Sequence, residues 1–228
     1  MAIGAGDFAQ RAGSAIGIAA EGVTMSVVVL AAGVLALAIG WNWTGCVVII
    51  VGLAVAAFFR DPERSLIPSC CERLVLSGAD GTVSDVAEMP LPGDAASERY
   101  HRVSVFMSPL NVHVNRSPVG GEIMSVQHTS GAFHAAFRDY ASEQNERNLI
   151  VLNDSRGRRH AMMQIAGYLA RRIVCRLNPH DTVRCGERIG LIMFGSRVDH
   201  FIPLDYRVIV KIGARVRAGE SIIAELSQ

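Results

Sequence analysis

Between Gly22 and Phe59 the chain carries no charged residue. Read as one helix, this stretch would be roughly 57 Å long at about 1.5 Å per residue, far more than a bilayer core of about 30 Å. It breaks naturally at Gly40-Trp41-Asn42-Trp43-Thr44-Gly45, because tryptophan favours the membrane interface while Gly and Asn favour turns. The sequence therefore predicts two apolar helices, 23–39 and 46–59, joined by a Trp-bearing turn. Each is near or below the roughly 17 residues a span needs, so a tight spanning hairpin, a re-entrant hairpin and a monotopic anchor all fit. Two rival readings are a secretory signal, which needs one short apolar core after a charged start, and the core hairpin of a soluble protein. A hairpin returns both ends to one side. Arg60 and Arg64 follow it directly, which places the rest of the chain on the cytoplasmic side of the cell (inner) membrane.

The rest of the composition narrows the chemistry. Five cysteines, an odd number with no CxxC, suit a reducing compartment rather than a disulfide scaffold. Seven histidines are scattered without HxxxH or HExxH spacing, so no metal is expected. A net charge of +1 gives no reason to expect a nucleic-acid partner. Only one of the 22 basic residues is a lysine, Lys211, so any chemistry needing a lysine amine, pyridoxal phosphate included, has that one candidate.

From about Leu74 the texture changes to short apolar runs bounded by Gly, Pro, Asn and Asp, at 102–107, 111–114, 122–126, 149–153, 162–166, 172–177 and 206–212. Such runs read as strands. A polar segment at 133–146 is compatible with helix, and 94–99 reads as a mobile loop. An internal repeat is also present. Val183-Arg184-Cys185-Gly186-Glu187-Arg188-Ile189 matches Val216-Arg217-Ala218-Gly219-Glu220-Ser221-Ile222 at an offset of 33, the pattern of stacked hairpin elements. The expected fold is thus a β-rich α+β chain. A membrane-anchoring helical hairpin (1–64) precedes a barrel- or sandwich-like domain with hairpin repeats (65–228). Lipoyl and biotinyl carriers share this texture, but they present a lysine at a hairpin tip. Here Lys211 falls in the run 208–212, which reads as strand.

One peptide bond stands out. In Ile192-Met193-Phe194-Gly195-Ser196-Arg197-Val198-Asp199, the Ser196 hydroxyl can attack the Gly195 carbonyl, with no side chain in the way. The resulting ester can undergo β-elimination, and hydrolysis then leaves a pyruvoyl group. Such a step needs a base for the serine proton and donors for the oxyanion. Gly-Ser alone is a common dipeptide, most often an ordinary turn.

Five stretches change that reading. In order they are Phe58-Phe59-Arg60-Asp61-Pro62-Glu63-Arg64, Ser77-Gly78-Ala79-Asp80-Gly81-Thr82-Val83, Phe106-Met107-Ser108-Pro109-Leu110-Asn111-Val112-His113-Val114-Asn115-Arg116-Ser117-Pro118-Val119-Gly120-Gly121, Ala141-Ser142-Glu143-Gln144-Asn145-Glu146-Arg147-Asn148 and Phe194-Gly195-Ser196-Arg197-Val198-Asp199. With these, the chain resembles the short, single-domain bacterial branch of the phosphatidylserine decarboxylase family over most of its length.

The resemblance implies a proenzyme that cuts itself between Gly195 and Ser196 into a large subunit (1–195) and a small one (196–228). The two would stay together as a heterodimer, alone or within a higher oligomer, with a pyruvoyl cofactor made from Ser196 and neither pyridoxal nor metal. It implies decarboxylation of phosphatidylserine to phosphatidylethanolamine and CO2. It also implies that Asp80 holds His113, which serves as general acid and as cleavage base. The longer branch carries two histidines three residues apart here, and this chain offers His113 and then Arg116, so His200 is a rival base. His101, His128, His134, His160 and His180 read as surface or strand residues. Arg116, Arg147 and Arg197 are candidates for the lipid's phosphate or carboxylate, because the guanidinium fork matches both. A pyruvoyl enzyme acting on another amino acid and a non-catalytic membrane-anchored adaptor are the alternatives.

Overall fold

The computed structural model describes residues 17–65, 72–93, 98–131, 145–167, 172–193 and 195–227. Two helices lead, α1 (Ala20–Ala38) and α2 (Asn42–Phe58). The turn between them is shorter than the sequence predicts, and α2 starts at Asn42 rather than residue 46. The reason is close packing. A Cβ at Gly45 would sit 2.5 Å from Leu37, and one at Gly52 would sit 2.7 Å from Leu30. Gly45 is therefore used as a contact surface inside a helix, not as a turn. The outer faces stay apolar and exposed, with Val28, Leu35, Ile50 and Leu53 among them. At 19 residues, α1 is long and apolar enough to cross a membrane, whereas α2 at 17 residues is shorter.

Among the described residues, fourteen strands follow. They are β1 (Leu74–Leu76), β2 (Gly81–Pro90), β3 (Arg99–Met107), β4 (Val114–Arg116), β5 (Gly121–Thr129), β6 (Arg147–Asp154), β7 (Arg159–Ala166), β8 (Ile173–Cys175), β9 (Thr182–Val183), β10 (Arg188–Ile192), β11 (Ser196–Pro203), β12 (Tyr206–Val208), β13 (Arg215–Val216) and β14 (Ile222–Leu226). The expected β-rich fold behind a helical hairpin is what forms. The eight-stranded antiparallel sheet, order β13-β2-β3-β11-β7-β6-β5-β9, curls as a half-barrel, and two three-stranded sheets, β1-β14-β12 and β4-β10-β8, flank it.

These orders reveal a duplication larger than the sequence repeat. The set β1, β2, β3, β11, β12, β13, β14 pairs within itself as β4, β5, β6, β7, β8, β9, β10 pairs within itself, strand for strand. The second unit is inserted into the first between β3 and β11, and β11 lies against β7 across the join. Matching contacts support the correspondence. Ser77 exchanges backbone hydrogen bonds with Gly219 and Ser221, and Ser117 does the same with Gly186 and Glu187. Gly195 is thus where the chain returns from the inserted unit.

Both faces of the large sheet are covered at its centre, so strands such as Leu149-Ile150-Val151-Leu152 are apolar throughout rather than alternating. Ile150 and Leu152 join one core with Met107, Val198 and Ile202, while Leu149 and Val151 join a second with Ile165 and Phe201. Most strand expectations hold with shifted ends, but residues 111–113 are not strand. Asn111 Oδ1 accepts from the Ser108 amide at 2.8 Å and the Ser108 hydroxyl at 2.7 Å, closing a loop instead. Lys211 also lies outside a strand. β12 ends at Val208, and Lys211 is exposed at the start of a turn closed by Ala214 N–H donating to its carbonyl. The segment expected as helix, 133–146, and the loop expected at 94–99 fall mostly outside the described residues.

Candidate active site

The end of α2 runs straight into the domain. Phe58 and Phe59 pack with Val112, Val114, Val174 and Leu191 in a third apolar cluster. The Ala19 amide donates to Phe59 O at 2.8 Å, and the Asp61 amide donates to Gly17 O at 2.7 Å. Arg60 donates to the carbonyls of Ala57 and Leu110. Asp61 is buried between Arg188, at 2.6 Å, and Arg116, at 3.3 Å. The segment leaving the hairpin is thereby clamped onto β4 and β10, the two strands that lead to His113 and Gly195.

Ser196 opens β11 with its side chain on the inner core face, between Met107 of β3 and Ala166 of β7. It is fully buried, and its hydroxyl donates to Met107 Sδ at 3.3 Å. Gly195 has φ +63°. That left-handed conformation is strained for any residue with a side chain, which explains glycine here even though a Cβ would meet nothing within 4 Å.

His113 reaches this bond from the loop before β4. Its Nδ1 donates to Asn111 O at 2.9 Å, so Nε2 keeps its lone pair, and the Gly195 amide donates to that nitrogen at 3.3 Å. The ring stacks at a tilt on Phe58, 4.2 Å between centroids. Burial first, and the Arg60 charge after it, push its pKa down to about 4, although the Asn111 carbonyl pulls the other way. His113 is therefore neutral at pH 7 and aims a basic nitrogen one residue upstream of Ser196.

His200, the rival base, is placed farther from the bond and is engaged at both ring nitrogens. It lies four residues along β11 from Ser196, about 13 Å at strand rise. Both ring nitrogens are engaged: Nε2 accepts from the Gly78 amide at 2.7 Å and Nδ1 donates to Val103 O at 3.1 Å. Burial lowers its pKa to about 4. His160 is buried beside Asp154 and Tyr206. It sits six residues from Ala166 on β7, about 20 Å along the strand from the Gly195–Ser196 bond.

The structure does not join Asp80 to His113. The Asp80 carboxylate faces Arg64 Nη2, at 3.1 and 2.9 Å, and accepts from the Ala218 amide at 2.7 Å. Asp80 sits in a turn before β2, whereas the His113 Nδ1 that it was expected to hold is taken by Asn111 O. The three expected substrate arginines are also placed otherwise. Arg116 is buried and spends its guanidinium on Asp61, Pro62 O and Gly186 O. Arg197 points to the sheet face opposite Ser196 and pairs with buried Asp199 at 2.9 Å. Arg147 shares that opposite face, because it pairs in register with Ile165, as Arg197 does.

Most of the residues lining a nearby cleft are ones that the sequence does not single out. A cleft of about 680 Å³ opens beside the His113 loop, lined by Asp80, Thr82, Phe106, Ser108, Leu110 and Asn111 and by Arg215, Arg217 and Ser221 on the far wall. Leu110 is 84% exposed at its rim, beside Arg60 at the foot of the hairpin. The alternation of arginines at 215 and 217 just before the repeated Gly-Glu turn was the available signal.

Comparison with known proteins adds an independent line. The sequence model of a family described as phosphatidylserine decarboxylase matches residues 51–224. A phosphatidylserine decarboxylase proenzyme of Chlorobium phaeovibrioides is 48% identical over 172 residues, 75% of each chain. A proenzyme so named from the Wolbachia of Brugia malayi is 39% identical over 211 residues, 91% of this chain and 90% of its own. One from Ruegeria pomeroyi is 44% identical over 193 residues, 81% of this chain and 83% of its own.

Proposed function

Because this chain belongs to the phosphatidylserine decarboxylase family of carboxy-lyases, we propose that it cuts itself between Gly195 and Ser196, and that the pyruvoyl group so formed decarboxylates phosphatidylserine at a membrane surface. The observation that carries this reading is His113 Nε2, unprotonated and buried, 3.3 Å from the Gly195 amide beside a Gly-Ser bond whose glycine has φ +63°.

The residues suit a pyruvoyl group at position 196. Its place is walled by Met107, Ala166 and Val198, apolar neighbours that accept a methyl ketone and keep water from the scissile bond. Such a group supplies an electron-accepting carbonyl for an amine substrate, a task that otherwise needs a bound cofactor. His113 takes the Ser196 proton during cleavage and returns it to the amine that leaves. Its depressed pKa keeps it in the base form for this step. In the mature enzyme the same basic nitrogen first takes a proton from the substrate ammonium and then passes it to the substrate carbon.

The large and small subunits stay joined because β11 is hydrogen-bonded to large-subunit strands on both edges, and β14 to β1. Arg64 and Asp80 add polar ties to Glu220 and Ala218 of the small subunit. The lipid headgroup enters the cleft beside Leu110, and Arg215 and Arg217 meet its phosphate. Residues 1–64 anchor the domain (65–228) to the cytoplasmic face of the inner membrane.

The test is conversion of phosphatidylserine in detergent micelles, read as CO2 release and as phosphatidylethanolamine formed. Wild type converts the lipid and leaves free serine untouched, and His113→Ala does neither step. Equal turnover of free serine would remove the lipid from the account, and normal turnover by His113→Ala would remove His113.

A further inference from the structure

Beneath Ser196 lies a chain of three buried amides that the mechanism so far leaves idle. Asn148 Nδ2 donates to Gln164 Oε1 at 2.9 Å, and Gln164 Nε2 donates to Asn115 Oδ1 at 2.9 Å. All three side chains are at most 1% exposed. The chain is directional, and its far end fixes the direction. Asn115 Nδ2 lies 3.4 Å from the Gly78 carbonyl, which accepts only, so that end of Asn115 must be the NH2. The same nitrogen lies 3.7 Å from Met107 Sδ, the atom on which the Ser196 hydroxyl rests at 3.3 Å. A thioether is a weak acceptor. A buried N–H is thus held on the same sulfur as the Ser196 hydroxyl, with one long carbonyl contact besides. Burying three amides costs free energy that an apolar trio would not, and the return expected is a donor held in place.

We propose that Asn115 is the hydrogen-bond donor that receives the charge on Ser196 Oγ when the ester intermediate of self-cleavage breaks, with Gln164 and Asn148 as its positioning residues. This rests on the self-cleavage reading above. In the ester, Oγ links the Gly195 acyl carbon to the Ser196 Cβ. His113 Nε2 removes the Ser196 α-proton. That C–H electron pair forms the Cα–Cβ double bond, the Cβ–Oγ bond breaks, and its pair departs on Oγ as the Gly195 carboxylate. The negative charge therefore grows on Oγ, which shares the Met107 sulfur with Asn115 Nδ2, and the donor acts at the elimination rather than at the first attack. Removing one such preorganised donor slows a step by about 100-fold.

The experiment uses full-length protein purified in detergent. Wild type, Asn115→Ala and Gln164→Met are incubated with and without hydroxylamine, and all fragments are weighed intact. Hydroxylamine cuts an ester but not a peptide bond. In Asn115→Ala the ester should accumulate, so that hydroxylamine releases a large fragment ending in a Gly195 hydroxamate and a small fragment starting with unaltered Ser196. Gln164→Met should show the same species at lower yield, and a melting curve verifies that each variant is folded. If Asn115→Ala does not fold, Gln164→Met decides by the same masses. A folded variant that is uncut and resistant to hydroxylamine would show that the amides serve only packing or the first attack, and overturn the proposal. A variant that matures to the pyruvoyl mass at the wild-type rate would overturn it as well. An uncut wild type would instead remove the self-cleavage reading on which it rests.

Discussion

Asp61→Asn should be among the most damaging single changes outside the Gly-Ser bond, although Asp61 touches no reacting atom. Its carboxylate is wholly buried between Arg188 and Arg116. Removing one member of a buried pair strands the other charge and costs about 3–5 kcal/mol. Arg188 keeps Glu63 at 2.8 Å, and Arg116 keeps the Gly186 and Pro62 carbonyls, so the lower end, about 3 kcal/mol, is expected. For a domain of this size, each kcal/mol moves the melting midpoint by about 2–4 °C, which gives a fall of roughly 6–12 °C. The matched control is Asp85→Asn. It breaks the Asp85–Arg102 pair, in which the Asp85 side chain is 41% exposed, and should cost no more than about 1 kcal/mol. Melting of the two variants in the same detergent, followed by circular dichroism, makes the comparison. Equal shifts would refute the claim that Asp61 clamps the hairpin exit onto β4 and β10.

Acid should unfold the protein through its histidines. His113 and His200 have folded pKa values near 4, below the ordinary 6.5, so the unfolded chain takes up protons first and stability is lost as pH falls from 6.5 toward 4. At pH 5 each should have cost about 2 kcal/mol, read as a lower urea midpoint than at pH 7.5, and His200→Gln should flatten that dependence; a midpoint independent of pH would sink this reading. Lys211→Arg should mature and turn over lipid as wild type does, since Lys211 is exposed in a turn. Loss of turnover in that variant would point to a lysine-bound carbonyl cofactor instead.

The hairpin and the strand-rich texture were legible because each rests on local pattern: a run without charge and short apolar segments. The repeat at 183–189 and 216–222 was legible too, but only as a fragment of the duplication. Pairing β3 with β11 joins Met107 to Ser196, and no local signal spans that separation. The Arg64 partner of Asp80 was not legible, because a motif carboxylate says nothing of a third residue and Arg64 arrives from the hairpin exit. The places of the arginines were hidden for a related reason. Charge is read as exposure, yet Arg116 and Arg197 are buried with partners of their own. The relay Asn148, Gln164, Asn115 was invisible because amides carry neither charge nor period.

The central claim is most directly tested by the intact mass of the purified protein and of Ser196→Ala. The account predicts two wild-type chains, 1–195 and 196–228, the small one carrying pyruvoyl in place of Ser196, and a single uncut chain for the variant. A wild-type protein that is folded yet remains one chain of 24.5 kDa would contradict it.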